Sequence, residues 1–265
     1  MRARVLVPIG NGLNSNEETT YVYRQVGARV DEIHIEELMR DPARIGGYHI
    51  IDFVGGFIDG DHVAAGIIQA NRVRNRLRPE IIKFIQNGKL IIGICNGFQA
   101  IVKSGILPAI DGDYTKQTAT LAGNDSGRFE DRWVHLVANK NSNCVWTRGI
   151  DRIYLPVRHG EGKFTASEET LASLRRGNQD VLFYADGQGR PTMEHPSNPN
   201  GSADGIAGIA DPSGRVFGMM PHREVYWSPF NHPNWPEMKI EGKLPEEGAG
   251  IVFSRNAVTY VAENL

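Results

Sequence analysis

Over its first 105 positions the chain alternates short apolar runs with amphipathic stretches, and this alternation sets the fold class. Residues 5–9 are an apolar run, residues 30–35 and 50–54 are further strand candidates, and residues 90–94, mostly β-branched or aliphatic, read as a buried strand. The first is closed by Gly10-Asn11-Gly12, and the third follows the break at Gly46-Gly47. Between the first two, Asn14-Ser15-Asn16-Glu17-Glu18 reads as a helix start with acidic residues in its first turn, and Tyr21, Val22, Gln25 and Val26 continue at helical spacing to Gly27. A second helix is predicted over residues 62–86, with Arg72, Arg74, Arg76 and Arg78 spread around a solvated or partner-facing surface. Strands alternating with helices predict a parallel sheet with right-handed crossovers.

The later pattern is more β-rich. Residues 133–137 alternate as a half-buried strand, residues 153–157 form another, 168–175 a short helix and 181–184 a further strand. Residues 206–210 and 216–219 read as a hairpin around Asp211-Pro212-Ser213-Gly214 that delivers Pro221-His222-Arg223-Glu224. From 226 to 245 proline and aromatic residues replace clear periodicity, and residues 251–253 and 258–261 return to the fold. One domain over 1–265 is expected, with an extra segment at about 226–248.

Bulk composition narrows the function. At 265 residues the chain can bury a substantial core, and a formal net charge of -2 gives no reason to expect nucleic acid or an anionic membrane as partner. The two cysteines, Cys95 and Cys144, make neither a disulfide framework nor a cysteine zinc pattern, so a reducing cytoplasm fits. The start runs directly into a strand-like segment without a signal peptide, and no apolar segment approaches membrane-spanning length. Gly10 and Gly12 lack the third glycine of a dinucleotide fingerprint and read as a turn. Walker and kinase motifs are absent, so ATP chemistry is expected elsewhere.

The chemistry is concentrated at Gly93-Ile94-Cys95-Asn96-Gly97, where a buried strand passes through one residue into a helix carrying Phe98, Ile101 and Val102. A turn this sharp crowds the neighbouring backbone, which gives glycines two before and two after the apex a steric reason, and it points the apical side chain outward. A cysteine there sits at a helix N-terminus whose dipole and free N–H groups favour thiolate over thiol. The N–H of Asn96 would also face an oxyanion formed on a carbonyl attacked by the sulfur. The alternative for Cys95 is a small buried hydrophobe.

A thiol nucleophile needs a histidine, best oriented by a third group. Of the eight histidines, two lie in a His-x-acid arrangement, His159-x-Glu161 and His222-x-Glu224, where an extended backbone puts both side chains on one side. Spacing does not choose between them. His159 sits among glycines, as in a ligand-contacting loop, whereas His222 leaves the end of a strand, a more rigid platform, which favours His222. Gly55-Gly56 follows a strand at the sheet's carboxyl edge, where open α/β folds place ligands; a tight turn explains it equally well.

With Gly55-Gly56-Phe57, the Cys95-Asn96-Gly97-Phe98-Gln99 run, His159-Gly160-Glu161-Gly162, Asn198-Pro199-Asn200-Gly201-Ser202 and Met220-Pro221-His222-x-Glu224 in this order, residues 3 to about 225 resemble a known family. It is the glutaminase subunits of phosphoribosylformylglycinamidine synthase, class I glutamine amidotransferases of purine biosynthesis. The resemblance implies a flavodoxin-like three-layer α/β sandwich with a mostly parallel central sheet. It implies Cys95 as nucleophile, His222 as general base and acid, Glu224 as its orienting carboxylate, and Gly56 with Asn96 as oxyanion donors. Gln99, Arg128 and Phe129 fall where the family lines the glutamine pocket, and His159, Asn200 and Ser202 in loops near it. The implied partners are the large synthase subunit, which would carry ATP and Mg, and a small third subunit; no cofactor or metal is implied in this chain.

The chain departs from the family pattern in places. Arg223 replaces the usual proline after the histidine, Ser15 stands where a cysteine is usual, and the residues after Gly55-Gly56 differ. The extra segment carries Trp227, Phe230 and Trp235, suited to covering the site or meeting another subunit. Rival readings are another cysteine hydrolase on the same scaffold, such as a peptidase or deglycase, and a non-catalytic binding subunit.

Overall fold

A computed structural model describes residues 2–265. The early apolar runs become β1 (Arg4–Ile9), β2 (Arg29–His34), β3 (Ile50–Phe53) and β4 (Leu90–Ile94), with α1 (Asn16–Gln25) after β1 and α2 (Ile35–Arg40) after β2. Residues of β3 and β4 are buried along their whole length, as expected of strands covered on both faces. The helix predicted over 62–86 begins later and is interrupted. It consists of α3 (Ile67–Arg72), a π-helical turn (Val73–Leu77) and α4 (Arg78–Gln86). Gly66, in the left-handed region at φ 71°, starts α3, and the preceding loop contains Asp59, Asp61 and Val63 at positive φ. Three of the four arginines of this stretch contact their own chain, and Arg76 is exposed. Arg72 pairs with Asp59, and Arg74 and Arg78 donate to the carbonyls of Lys103 and Ser104.

After β4 come α5 (Asn96–Lys103), β5 (Ala119–Ala122), β6 (Glu130–Ala138), β7 (Arg152–His159), β8 (Lys163–Ala166), α6 (Glu168–Gly177), β9 (Asp180–Ala185), β10 (Ile206–Ala210) and β11 (Val216–Met219). The nine-stranded sheet has the order β2-β1-β3-β4-β11-β10-β9-β6-β7. The first five strands are mutually parallel, and the rest continue antiparallel, so that β9 and β7 again point with the parallel block. Seven of the nine strands thus share one direction. The hairpin of β10 and β11 is antiparallel, and β11 then lies beside β4 in parallel register, Met219 opposite Ile94. The pair β5–β8 forms a separate two-stranded sheet that periodicity did not disclose.

Helices cover both faces. On one side α1 packs with α8 (Ile251–Asn264), whose Phe253 stacks on Phe217 of β11; on the other lie α2 to α5. Between β11 and α8, the segment containing α7 (Trp235–Ile240) folds against the β6–β7 edge and α1, with Tyr226 and His232 on Trp133, His232 also on Tyr154, and Trp227 on Tyr21. No helix among the described residues is long and apolar enough to cross a membrane.

Candidate active site

The carboxyl ends of β3, β4 and β11 meet at one point. Cys95 occupies the single residue between β4 and α5 with φ 50° and ψ -107°, a backbone conformation that side chains rarely adopt and that is held here by neighbouring packing. Gly97 shows the reason for the glycine frame: an added Cβ would lie 1.8 Å from the carbonyl oxygen of Phe53, so only glycine lets α5 start this close to β3. The Cys95 N–H donates to the Met219 carbonyl at 2.9 Å, tying the elbow to the end of β11. The sulfur lies 3.5 Å from the carbonyl oxygen of Arg158.

His222 follows β11 by three residues and is buried. Its Nδ1 is 2.6 Å from Oε1 of the fully buried Glu224, and its Nε2 has no hydrogen-bond partner of ordinary geometry. Burial pushes the imidazole toward neutrality, but the carboxylate of Glu224 and the neighbouring Cys95 outweigh it and raise His222 to about 10. Burial likewise opposes ionisation of Glu224, yet the charges of His222 and Arg223 hold its carboxyl below the usual range. Gly55 makes room for the ring, since a Cβ there would come within 2.8 Å of His222 Cε1, and the hydroxyl of Ser15 flanks the same spot.

A cleft of about 130 Å³ opens on Cys95 and is lined also by Gly56, Phe57, Gln99, Phe129 and His159. This volume suits a small ligand such as an amino-acid side chain rather than a peptide or a nucleotide. Gln99 donates to the Glu161 carbonyl at 2.6 Å. The Asn96 side chain donates to Asp61 at 2.9 Å and to Gln99 at 3.0 Å, and accepts from the Ile58 N–H at 3.3 Å, so it fastens the loop after Gly56 to α5.

Other predicted positions stand further back. Arg128 is exposed and lies outside the lining of the cleft; its carbonyl accepts from Asn124 at 2.8 Å. Asn200 and Ser202 are buried behind the cleft in a polar cluster that supports His159: Asn200 Nδ2 reaches His159 Nε2 at 3.4 Å and donates to the Tyr184 hydroxyl at 3.0 Å. Ser202 accepts from the Phe164 N–H at 2.9 Å. Burial and the nearby His222 push His159 down to about 4, so that it is neutral near pH 7 and is held as a hydrogen-bonding ring.

Two buried polar residues that the sequence reading passed over brace the lining of the cleft from behind. Asn124 binds both sides of the loop at His159, with its Oδ1 3.1 Å from His159 Nδ1 and 3.0 Å from the Gly162 N–H; its signal was the Gly123-Asn124-Asp125 turn. Lys103 is a buried lysine on α5 that donates to the Ala65 carbonyl at 2.7 Å and reaches Glu161 at 3.4 Å; its signal was a lone charge ending an apolar helix. Among the described residues, no three His, Cys, Asp or Glu side chains converge as a metal site.

The model of the CobB/CobQ-like glutamine amidotransferase domain matches residues 2–261. The phosphoribosylformylglycinamidine synthase subunit PurQ of Dehalococcoides mccartyi is 45% identical over 262 residues, 99% of each chain. The protein of the same name from Methanococcus maripaludis strain C7 is 40% identical over 97% of each chain. Among solved structures, a chain of PurLQS from Thermotoga maritima superposes with a TM-score of 0.69 at 26% identity, covering 98% of this chain and 100% of that one. The chain therefore belongs to the CobB/CobQ-like glutamine amidotransferase family and, within it, to the phosphoribosylformylglycinamidine synthase subunit PurQ proteins.

Proposed function

We propose that the chain is the glutaminase subunit of phosphoribosylformylglycinamidine synthase and that Cys95, His222 and Glu224 hydrolyse L-glutamine. The observation that carries this reading is the pairing of His222 with Glu224 at 2.6 Å beside a cysteine at a strand-to-helix apex that opens on a small cleft. The sulfur of Cys95 attacks the side-chain amide carbon of glutamine as a thiolate, and the resulting oxyanion accepts hydrogen bonds from the main-chain N–H groups of Asn96 and Gly56. Protonated His222 then transfers its proton to the leaving nitrogen, the C–N bond breaks, and ammonia departs from a γ-glutamyl thioester. Neutral His222 next takes a proton from water, whose oxygen attacks the thioester, and glutamate and the Cys95 thiolate are released. Glu224 keeps the ring oriented and stabilises its positive charge through both halves. Gln99 and Phe129 shape the side-chain slot, and His159 forms its wall.

Ammonia released into water is diluted and protonated, so the useful product is ammonia delivered directly to a synthetase site. The partner that receives it is the large synthase subunit, which uses ATP and Mg, with a small third subunit completing the assembly in the cytoplasm. The name PurLQS borne by the similar Thermotoga maritima structure supports a three-part assembly. The test is glutamate release and amidine formation by the assembled complex with ATP. Cys95→Ala is expected to abolish glutamine-dependent synthesis while sparing ammonia-dependent synthesis, and a glutamine-like diazoketone is expected to label Cys95 alone. Full glutamine-dependent activity in Cys95→Ala would refute the assignment.

A further inference from the structure

Between His222 and Glu224 stands Arg223, whose side chain is completely buried. Residues 223–225 form a turn closed by the Tyr226 N–H on the Arg223 carbonyl at 3.2 Å, not the extended segment the spacing suggested, and the Arg223 side chain enters the layer formed by α1 and α8. There its guanidinium meets one group from each surrounding element. Nη2 donates to Asp52 of β3, Nη1 donates to the Ser254 hydroxyl of α8, and the plane lies 5.0 Å from the ring of Tyr23 of α1. A buried cation is retained only where charge and hydrogen bonds compensate it, and here a fully buried carboxylate supplies the opposite charge.

The compensation is shared with the proposed catalytic pair. Asp52 Oδ1, Arg223 Nε and Glu224 Oε2 are all buried without hydrogen-bond partners. Charge must therefore satisfy what hydrogen bonds leave open, and the acidic groups around Arg223 are Asp52 and Glu224 together, with Tyr23 beside them. Burial, opposed by Arg223 and reinforced by Glu224, leaves Asp52 raised to about 6, so the two carboxylates compete for one guanidinium. From the other side Glu224 faces His222, which in turn faces Cys95 and His159.

We propose that Arg223 is a positioning residue for glutamine hydrolysis: clamped by Asp52 and Ser254, it fixes the backbone between His222 and Glu224 and keeps Glu224 ionised, so that the imidazole is presented to Cys95 as a cation. The proposal rests on the triad reading above. It gives α8 a function, since Ser254 lies 31 residues beyond Arg223 and yet holds the cation behind the site.

The test uses the full chain and follows the rate of Cys95 alkylation by iodoacetamide against pH, with kcat and KM for glutamine measured in the assembled synthase. The principal variant is the double change Arg223→Met with Asp52→Asn, which leaves no unpaired buried charge; Arg223→Lys keeps the charge, and Ser254→Ala removes only one clamp. In the double variant, kcat is expected to fall at least about tenfold with KM within about twofold, and the acid-side midpoint of alkylation to rise by about one pH unit. Arg223→Lys is expected to recover most of the loss, and Ser254→Ala to lower kcat several-fold at unchanged KM. A folded double variant with wild-type kcat and midpoint overturns the proposal, as does Arg223→Lys no better than the double variant. If the double variant does not fold, Ser254→Ala with wild-type kcat overturns it alone. His222→Ala, run in parallel, separates the two levels: a wild-type alkylation profile there would sink the triad itself, whereas an altered profile there with unaltered Arg223 variants would sink only the role of Arg223.

Discussion

Replacing Glu224 by glutamine keeps the shape of the side chain and removes its charge, and the structure sets the size of the consequence. Against burial, Glu224 and Cys95 together raise His222 from 6.5 to about 10. At about 1.4 kcal/mol per unit, the net shift corresponds to roughly 5 kcal/mol of native-state stabilisation, with Glu224 the largest favourable contributor. A group whose affinity for protons rises on folding contributes fully below its unfolded value of 6.5, and the contribution disappears as the pH climbs to about 10. Wild-type unfolding free energy should therefore fall across this window, and that of Glu224→Gln should fall much less, so that their difference shrinks on the order of a few kcal/mol from pH 6.5 to 10. Burial also pushes the Cys144 thiol from 9 to about 12, which lowers stability at the alkaline end in both proteins and cancels in the difference. The assay is denaturant unfolding at half-unit steps of pH, with glutaminase turnover in the assembled complex measured on the same samples. Turnover is expected to drop on the order of a hundredfold or more, because the ring loses the charge that stabilises its cation. Parallel stability curves for the two proteins would refute the coupling.

Three further outcomes follow from the geometry. His222→Ala is expected to reduce glutamine turnover by at least about a hundredfold and His159→Ala by far less, since His159 is held neutral near pH 7; steady-state rates in the complex decide, and the reverse order would exchange their roles. Gly97→Ala puts a methyl group 1.8 Å from the Phe53 oxygen and should cost about 3 kcal/mol or more in denaturant unfolding, with loss of Cys95 labelling by the diazoketone. Phe129→Ala removes an exposed wall of the cleft and should raise KM for glutamine a few-fold while leaving kcat within about twofold.

What could be read from the sequence was local. The frame around Cys95 was legible because an apolar run, a glycine, the apex and a second glycine lie within a few residues, and the resulting φ of 50° belongs to that turn. The turn between β10 and β11 was marked by Asp211-Pro212-Ser213-Gly214; the meeting of His222 with Glu224 was expected from alternation on an extended backbone, but a turn at 223–225 brings it about. What was not legible depended on distant partners. The burial of Arg223 is set by Asp52, 171 positions away, so the sequence showed only a proline replaced. The late start of α3 reflects Gly66 and a loop held by Asp61, Asn96 and Glu161, none of which disturbs the helical periodicity that suggested a longer element. The four-residue strands β5 and β8 are too short for alternation to separate them from turns. Arg128, Asn200 and Ser202 fall in the segments expected near the cleft, but side-chain direction, which spacing does not give, turns the first to solvent and the other two inward.

Because β4 and β11 are bonded neighbours in parallel register, with Met219 opposite Ile94, the chain leaves both tips side by side from starting points fixed by main-chain bonding. The surrounding loops are thus free to diverge without moving the two strand tips from which Cys95 and the segment leading to His222 depart. Such a site behaves as an interchangeable cartridge, its chemistry stored in the weave and its addressing written on the rim.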